Sequence, residues 1–206
     1  MMINIESKVN KNYYETGEEK FGYFTSRIYN MTKLSGTIRE FYRFIIADIN
    51  RMRPASILDI GSGTGTILLS VIKENQDIIG FGLDPSAYMV HKANMIAKRK
   101  GLSARLMFMQ GSSRDIQLSQ KFPLIISSLS FHHWKDRNSS LKNIMNYIDE
   151  KGKFVVYEMY DDGSLTRKFV KSHLMSSDDF NRISDATGFS VDISIHNGIV
   201  KAAFSR

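Results

Sequence analysis

The chain of 206 residues has no cysteine, three prolines, one tryptophan and no apolar run of membrane-spanning length. Without cysteine there is no disulfide framework, no thiolate-held metal and no cysteine nucleophile. Without about 20 consecutive apolar residues, or a basic-then-apolar leader, neither a transmembrane helix nor a signal peptide is expected, and the default address is the cytoplasm. Internal repeats and low-complexity linkers are also missing. What is present is ordinary for a globular chain: 42% hydrophobic and 24% charged residues, in a length that fits one domain with a sizeable core.

The formal net charge is +7. Basic chains often meet nucleic acid or anionic membrane. Here the cations are spread out. The densest run, Lys98-Arg99-Lys100, precedes Gly101, which is the pattern of a helix C-terminus where cations offset the dipole and glycine supplies the cap. Nucleic acid is therefore a possible partner but not the favoured one.

The informative stretch is Ile57-Leu58-Asp59-Ile60-Gly61-Ser62-Gly63-Thr64-Gly65. An apolar strand meets an acid, then three glycines at alternate positions, then the apolar start of a helix. Glycine lets the backbone turn sharply and lie close to a ligand, and the helix that follows points its N–H groups into the same space. The dinucleotide fingerprint is G-x-G-x-x-G, whereas here Thr66 stands at the third glycine's place. Asp59 would also face two phosphates. A cofactor with a cationic amino-acid end and no phosphate suits the site better, and S-adenosylmethionine is such a molecule. A structural turn with glycines for packing alone is the competing reading.

A second buried strand, Ile78 to Leu83, ends at Asp84, 19 residues after Gly65. An acid at that tip is placed to accept both ribose hydroxyls. It could also cap the next helix, with Pro85 as the first helical residue.

The wider pattern alternates strands and helices. A helix is expected at 36–52, ended by Pro54, with one or two short helices at 12–34 before it. Strands follow at 56–60, 78–83, 104–109, 123–129 and 153–158, the last preceded by a turn at Glu150-Lys151-Gly152. Helices are expected at 64–74, 86–100, 137–148, 164–173 and from Ser177 to Gly188. Asn197-Gly198 between two alternating runs, 190–195 and 199–204, signals a hairpin. Such alternation makes a parallel sheet with right-handed crossovers, closed by an antiparallel edge.

These motifs, together with GFGLDPSAYMVHKA at 80–93, MFMQGSS at 107–113 and IISSLSFHHWKD at 125–136, make the chain resemble the class I S-adenosylmethionine-dependent methyltransferases. The likeness is strongest to the small-molecule group that includes the quinone-biosynthesis C-methyltransferases, and covers about residues 27–190. It implies an α/β fold: a doubly wound, seven-stranded, mostly parallel Rossmann-like sheet with an antiparallel C-terminal hairpin and an N-terminal helical cap or lid over 1–52, the cofactor-binding unit being 53–206. It implies that Asp59, Gly61 and Gly63 line the methionine end and Asp84 holds the ribose, with Met89 or Tyr88 beside the adenine. Ser112 and Ser113 stand where the family commonly has Asp-Ala, so the adenine amino group would be met without charge assistance. Phe122-Pro123 replaces a frequent Phe-Asp, with proline opening the fourth strand. The cofactor-binding set is completed by Ser62, Gly65, Pro85 and Ser128.

Methyl transfer from a sulfonium is an in-line displacement that needs orientation and water exclusion, plus a base only if the acceptor must lose a proton. His133 and His132, after strand four, are the candidates. Each is equally compatible with a backbone contact beside a packed Phe131 and Trp134. Glu158 and Asp161 are weaker candidates on the acceptor side. Tyr13, Tyr14, Phe21, Tyr23, Phe24 and Tyr29 could form a lid over a flat acceptor or the core of a helical cap. The expected acceptor is a small molecule. RNA or protein methylation is the alternative, although no Asn/Asp-Pro-Pro-Tyr signature follows strand four and the lack of cysteine argues against cytosine-C5 chemistry. A cofactor- or partner-binding module without turnover is the third reading.

Overall fold

The computed structural model describes residues 35–161 and 174–206. The short helices expected at 12–34 and 164–173, and the aromatic segment from Tyr13 to Tyr29, lie outside the described residues.

Helix α1 (Ser35–Met52) places Phe41, Ile45 and Ile49 on one stripe, and all three are fully buried. The chain then turns at Arg53, which takes a positive φ of 46° before Pro54. Strand β1 (Ser56–Ile60) runs into α2 (Thr66–Glu74), β2 (Ile79–Asp84) into α3 (Ala87–Arg99), and β3 (Leu106–Gln110) leads to β4 (Phe122–Ser128). A 3-10 turn at Phe131–His133 precedes α4 (Arg137–Met145). Then come β5 (Ile148–Tyr160), β6 (Leu174–Met175), α5 (Ser177–Thr187), β7 (Ser190–His196) and β8 (Ile199–Ser205). The sheet order is β3-β2-β1-β4-β5-β8-β7, parallel from β3 to β5, with β8 antiparallel to both β5 and β7. This is the doubly wound architecture with an antiparallel end. Asn197 and Gly198, at φ 47° and 75°, make the two-residue hairpin turn.

Several boundaries differ from expectation. Helix α2 begins at Thr66, because Gly65 takes a left-handed φ of 79° as its N-cap. Pro85 is not the first helical residue: Ser86 is the N-cap, accepting from the Met89 N–H, and α3 starts at Ala87. Helix α4 stops at Met145. Strand β5 starts at Ile148, so Glu150-Lys151-Gly152 lies inside a strand. Ile148 pairs with Phe122 and Lys153 with Leu124, so the register slips beside Pro123, which has no N–H to give the ladder. An additional two-residue strand, β6, pairs in parallel with Met159 and Tyr160. Met159 already pairs with Ile199 of β8, so β6 lies on the β4 side, above the end of β4.

Apolar clusters cover both faces. Ile57, Leu68, Ile72, Ile126, Val155 and Tyr157 pack with α1 on one; Leu58, Ile125, Phe131, Phe154, Val156 and Phe204 pack on the other. Alternation along the strands therefore puts Asp59 and Tyr157 on the α1 face, and Glu158 on the opposite one. Helix α1 is tied to the sheet by Asp48, which accepts from the Tyr157 hydroxyl at 2.8 Å and pairs with Lys201 at 2.6 Å. Burial and the neighbouring Asp48 charge push the Tyr157 hydroxyl well above its ordinary pKa.

Candidate functional site

Strand order reverses between β1 and β4, and in open parallel sheets ligands lie at the carboxyl ends of the strands near such a reversal. The tips of β1, β2 and β4 carry the glycine turn, Asp84 and Ser128.

The turn is held by its neighbours. The N–H groups of Gly61 and Ser62 both donate to the carbonyl of Leu83, at 2.8 and 2.9 Å, and Gly65 N–H donates to Ser62 at 2.8 Å. Gly61, Gly63 and Gly65 all have positive φ, of 80°, 53° and 79°, a region that costs other residues about 1–2 kcal/mol. Their surroundings differ. A β-carbon on Gly65 or Gly82 would collide with the ring of Phe108, at 2.6 Å from Cε1 in both cases, and one on Gly61 would strike the Ser130 side chain. One on Gly63 would meet nothing within 4 Å among the described residues. Gly65 and Gly82 thus admit the Phe108 ring as a floor, while Gly63 opens onto space a ligand can enter.

Asp84 is buried, and each of its oxygens accepts a backbone N–H: Oδ2 from Gly63 at 2.8 Å and Oδ1 from Ser86 at 2.9 Å. Burial raises its pKa, and the two N–H groups partly offset that rise. A carboxylate oxygen has a second lone pair, so capping and ribose binding are compatible. Asp59 sits at the level of Gly82 on β2 and Ile126 on β4. It is 1% exposed, and its Oδ1 meets no donor among the described residues. Burial, and then the charge of Asp84, push its carboxyl up to about 8. An orphaned buried acid beside an open glycine turn fits a cationic, hydroxyl-bearing ligand, as the adenosyl sulfonium is.

The remaining expected cofactor residues are arranged unevenly. Pro85 and Met89 are half-buried beside Asp84, and the Gln110 amide donates to the Pro85 carbonyl at 3.0 Å. Tyr88 is 69% exposed. Ser112 and Ser113 are buried after β3, but the Ser113 hydroxyl is engaged with Ser140 of α4 at 2.8 Å and Ser112 Oγ accepts from the Arg114 N–H. Ser62 Oγ is buried without a partner among the described residues. Ser128 is half-buried at the tip of β4.

Beyond β4 the backbone takes a positive φ of 47° at Leu129, uncommon for a branched side chain. This turn brings Ser130 against Gly61 and sends the chain into the 3-10 turn. There Glu158, fully buried at the end of β5, grips His132 twice. Oε2 is 2.8 Å from Nδ1, and Oε1 accepts the His132 N–H at 3.2 Å. The Arg137 guanidinium donates to the carbonyls of Phe131 and His132 and lies over the Phe131 ring, fixing the turn from the other side. The His133 ring stands 3.9 Å from that of His132. Asp161 closes β5 through its N–H to Met175. Sequence reasoning named Glu158 and His132 separately and missed their pairing. It also missed Phe108, whose signal was the Gly80-x-Gly82 spacing opposite MFMQGSS.

Comparison with known proteins bears on the family and the fold. A family model described as a methyltransferase domain matches residues 52–193. An uncharacterised methyltransferase of Staphylococcus carnosus is 25% identical over 133 residues, covering 63% of this chain and 60% of that one, so the chain spans less than two thirds of that relative. Among solved structures, the plantazolicin methyltransferase BpumL, in complex with a monoazolic desmethylPZN analogue and SAH, superposes with a TM-score of 0.66 at 14% identity, covering 89% of each chain. The mitomycin 7-O-methyltransferase MmcR superposes with a TM-score of 0.67 at 16% identity, over 86% of this chain and 60% of its own.

Proposed function

The chain belongs to the class I S-adenosylmethionine-dependent methyltransferases, and on that premise we propose that it methylates a hydroxyl oxygen of a small acceptor, with His132 as the base. The observation that carries this is the double grip of buried Glu158 on His132. With the carboxylate accepting, Nδ1 carries the proton and Nε2 the lone pair, the tautomer a base requires.

The bound cofactor supplies an electrophilic sulfonium methyl. Asp84 and the Gly63 backbone would hold the ribose edge, Asp59 and Gly61 the methionine end, and the turn from Pro85 to Met89 the adenine. His132 Nε2 would take the proton of the acceptor hydroxyl, leaving its oxygen as the nucleophile. Glu158 stabilises the imidazolium that results, as an ionised carboxylate does for a neighbouring base. Of the expected cap, the described part is α1, whose end the Asp48–Tyr157–Lys201 network anchors to β5 and β8 of the cofactor-binding unit.

The test is formation of demethylated cofactor with a panel of phenols and other acidic hydroxyl compounds. His132→Ala is expected to lower turnover at least a hundredfold while binding the thioether product as wild type does. Unimpaired turnover removes His132 from the chemistry. Salt-sensitive RNA binding in place of small-molecule turnover would favour a nucleic-acid acceptor instead.

A further inference from the structure

The sheet ends in two edge strands, β3 and β7, and the chain treats them differently. On β3 the carboxamide of Asn94, from α3, takes the place of a neighbouring strand: it donates to the Phe108 carbonyl at 2.8 Å and accepts the Phe108 N–H at 3.1 Å. β7 has no such cover among the described residues. Its two-residue turn makes His196 and Ile199 a hydrogen-bonded pair, and the Tyr160 N–H on the Gly198 carbonyl agrees with that alternation. Val191, Ile193 and Ile195 therefore turn their N–H and C=O groups away from β8, and no hydrogen bond from a described residue reaches them. Nor is this edge blunted as lone edges usually are. The strand, Ser-Val-Asp-Ile-Ser-Ile-His, is seven residues long, pairs with β8 without a bulge, and holds no proline or lysine. Val191 and Ile193 are half-buried on one face, and Ile195 is 48% exposed.

We infer that β7 pairs with β7 of a second copy of this chain, antiparallel and centred on Ile193, so that two sheets join into one across a twofold axis. The strand is complementary to itself in that register. The pairing sets Val191 against Ile195 of the second copy and Ile193 against its own counterpart, and these are the residues whose backbone groups face outward. About six backbone hydrogen bonds close the ladder. Asp192, the one carboxylate of the strand, falls opposite Ser194. A centre at Asp192 would instead oppose two carboxylates, which is unfavourable across a strand pair, and a centre at Ser194 would leave Ser190 and Val191 beyond the paired strands. Only the Ile193 centre uses all seven residues. Seven residues span about 24 Å at about 3.4 Å each, a short interface, so the dimer forms and separates with concentration. The inference is independent of the cofactor crevice, since β7 is the far edge of the sheet from Asp84 and Gly63.

The experiment is sedimentation of the full chain from low to high micromolar concentration, where the mass should rise from one chain to two. Ile193→Lys places two like charges on the twofold axis. Ile195→Pro removes an outward N–H that the single chain does not use, a place where an edge strand tolerates proline. Each should weaken association about tenfold or more and leave the melting temperature near that of the wild type. The chain has no cysteine, so one introduced thiol reports the register. Residues in a hydrogen-bonded antiparallel pair have Cα atoms about 5.5 Å apart, within disulfide reach. Mild oxidation should therefore link two copies of Ile193→Cys, while Ser190→Cys, which faces His196 of the second copy, should stay unlinked. The wild-type masses and the cross-link decide the matter even if Ile193→Lys does not fold. A wild type of one-chain mass throughout overturns the inference. So does a dimer indifferent to Ile195→Pro, or one that links through Ser190→Cys as readily as through Ile193→Cys.

Discussion

Gly65 lies against the ring of Phe108, so closely that a β-carbon on it would stand 2.6 Å from Cε1, whereas a β-carbon on Gly63, two residues earlier, would meet none of the described residues within 4 Å. The same residue type therefore serves packing at one position and a ligand at the other. Gly65→Ala combines backbone strain with overpacking and should cost about 2–4 kcal/mol. Gly63→Ala should cost only the strain, about 1–2 kcal/mol, yet weaken cofactor binding more than tenfold by filling the opening. Thermal or denaturant unfolding of the two variants, followed by cofactor titration of each, checks this. Equal stability loss with intact binding in Gly63→Ala would show that the opening is not the binding surface.

Glu158 acts through His132. Glu158→Gln keeps the shape and can still accept from Nδ1, but loses the charge that stabilises the imidazolium. It should lower kcat by about ten- to a hundredfold with little change in thioether affinity. His133→Ala, which leaves the Glu158–His132 pair in place, should cost much less. If His133→Ala lowers turnover more than His132→Ala, the assignment of the base is reversed.

The raised carboxyl of Asp59 also predicts how the ligand-free protein responds to pH. Its folded value of about 8 lies above the ordinary carboxyl value of 3.8, so between those limits the folded state binds more protons than the unfolded one. Stability from this group is fully present below the unfolded value and is lost as pH rises toward 8. Asp84, also raised, acts in the same direction. Asp59→Asn should therefore gain in melting temperature over wild type progressively from pH 5 to pH 8. Parallel melting curves across that range would mean that Asp59 is not held protonated.

Much of the frame was legible because local chemistry and tertiary need coincide. Strand β1 falls at 56–60 as read, since an apolar run ending in glycines has few alternatives, and Asn197-Gly198 leaves only a tight hairpin. Gly152 misled for a physical reason. It is needed not for a turn but for close approach, since a β-carbon there would sit 2.8 Å from the Phe122 carbonyl oxygen. Strand β6, two residues long, has no period to read. In the site, Asp59, Asp84 and the glycines announced themselves by spacing. The His132–Glu158 and Ser113–Ser140 pairs join residues 26 and 27 positions apart, on different elements, and only the folded chain brings them together.

The proposed grip on an adenosyl ligand lies between the glycine turn and Asp84. The most direct measurement is calorimetric titration of the purified chain with S-adenosylhomocysteine, wild type against Asp84→Ala. Loss of the charged hydrogen bonds, about 1.5–3 kcal/mol, should weaken saturable one-to-one binding by about ten- to a hundredfold. Equal affinity in the two proteins, or no binding by folded wild type, would contradict it.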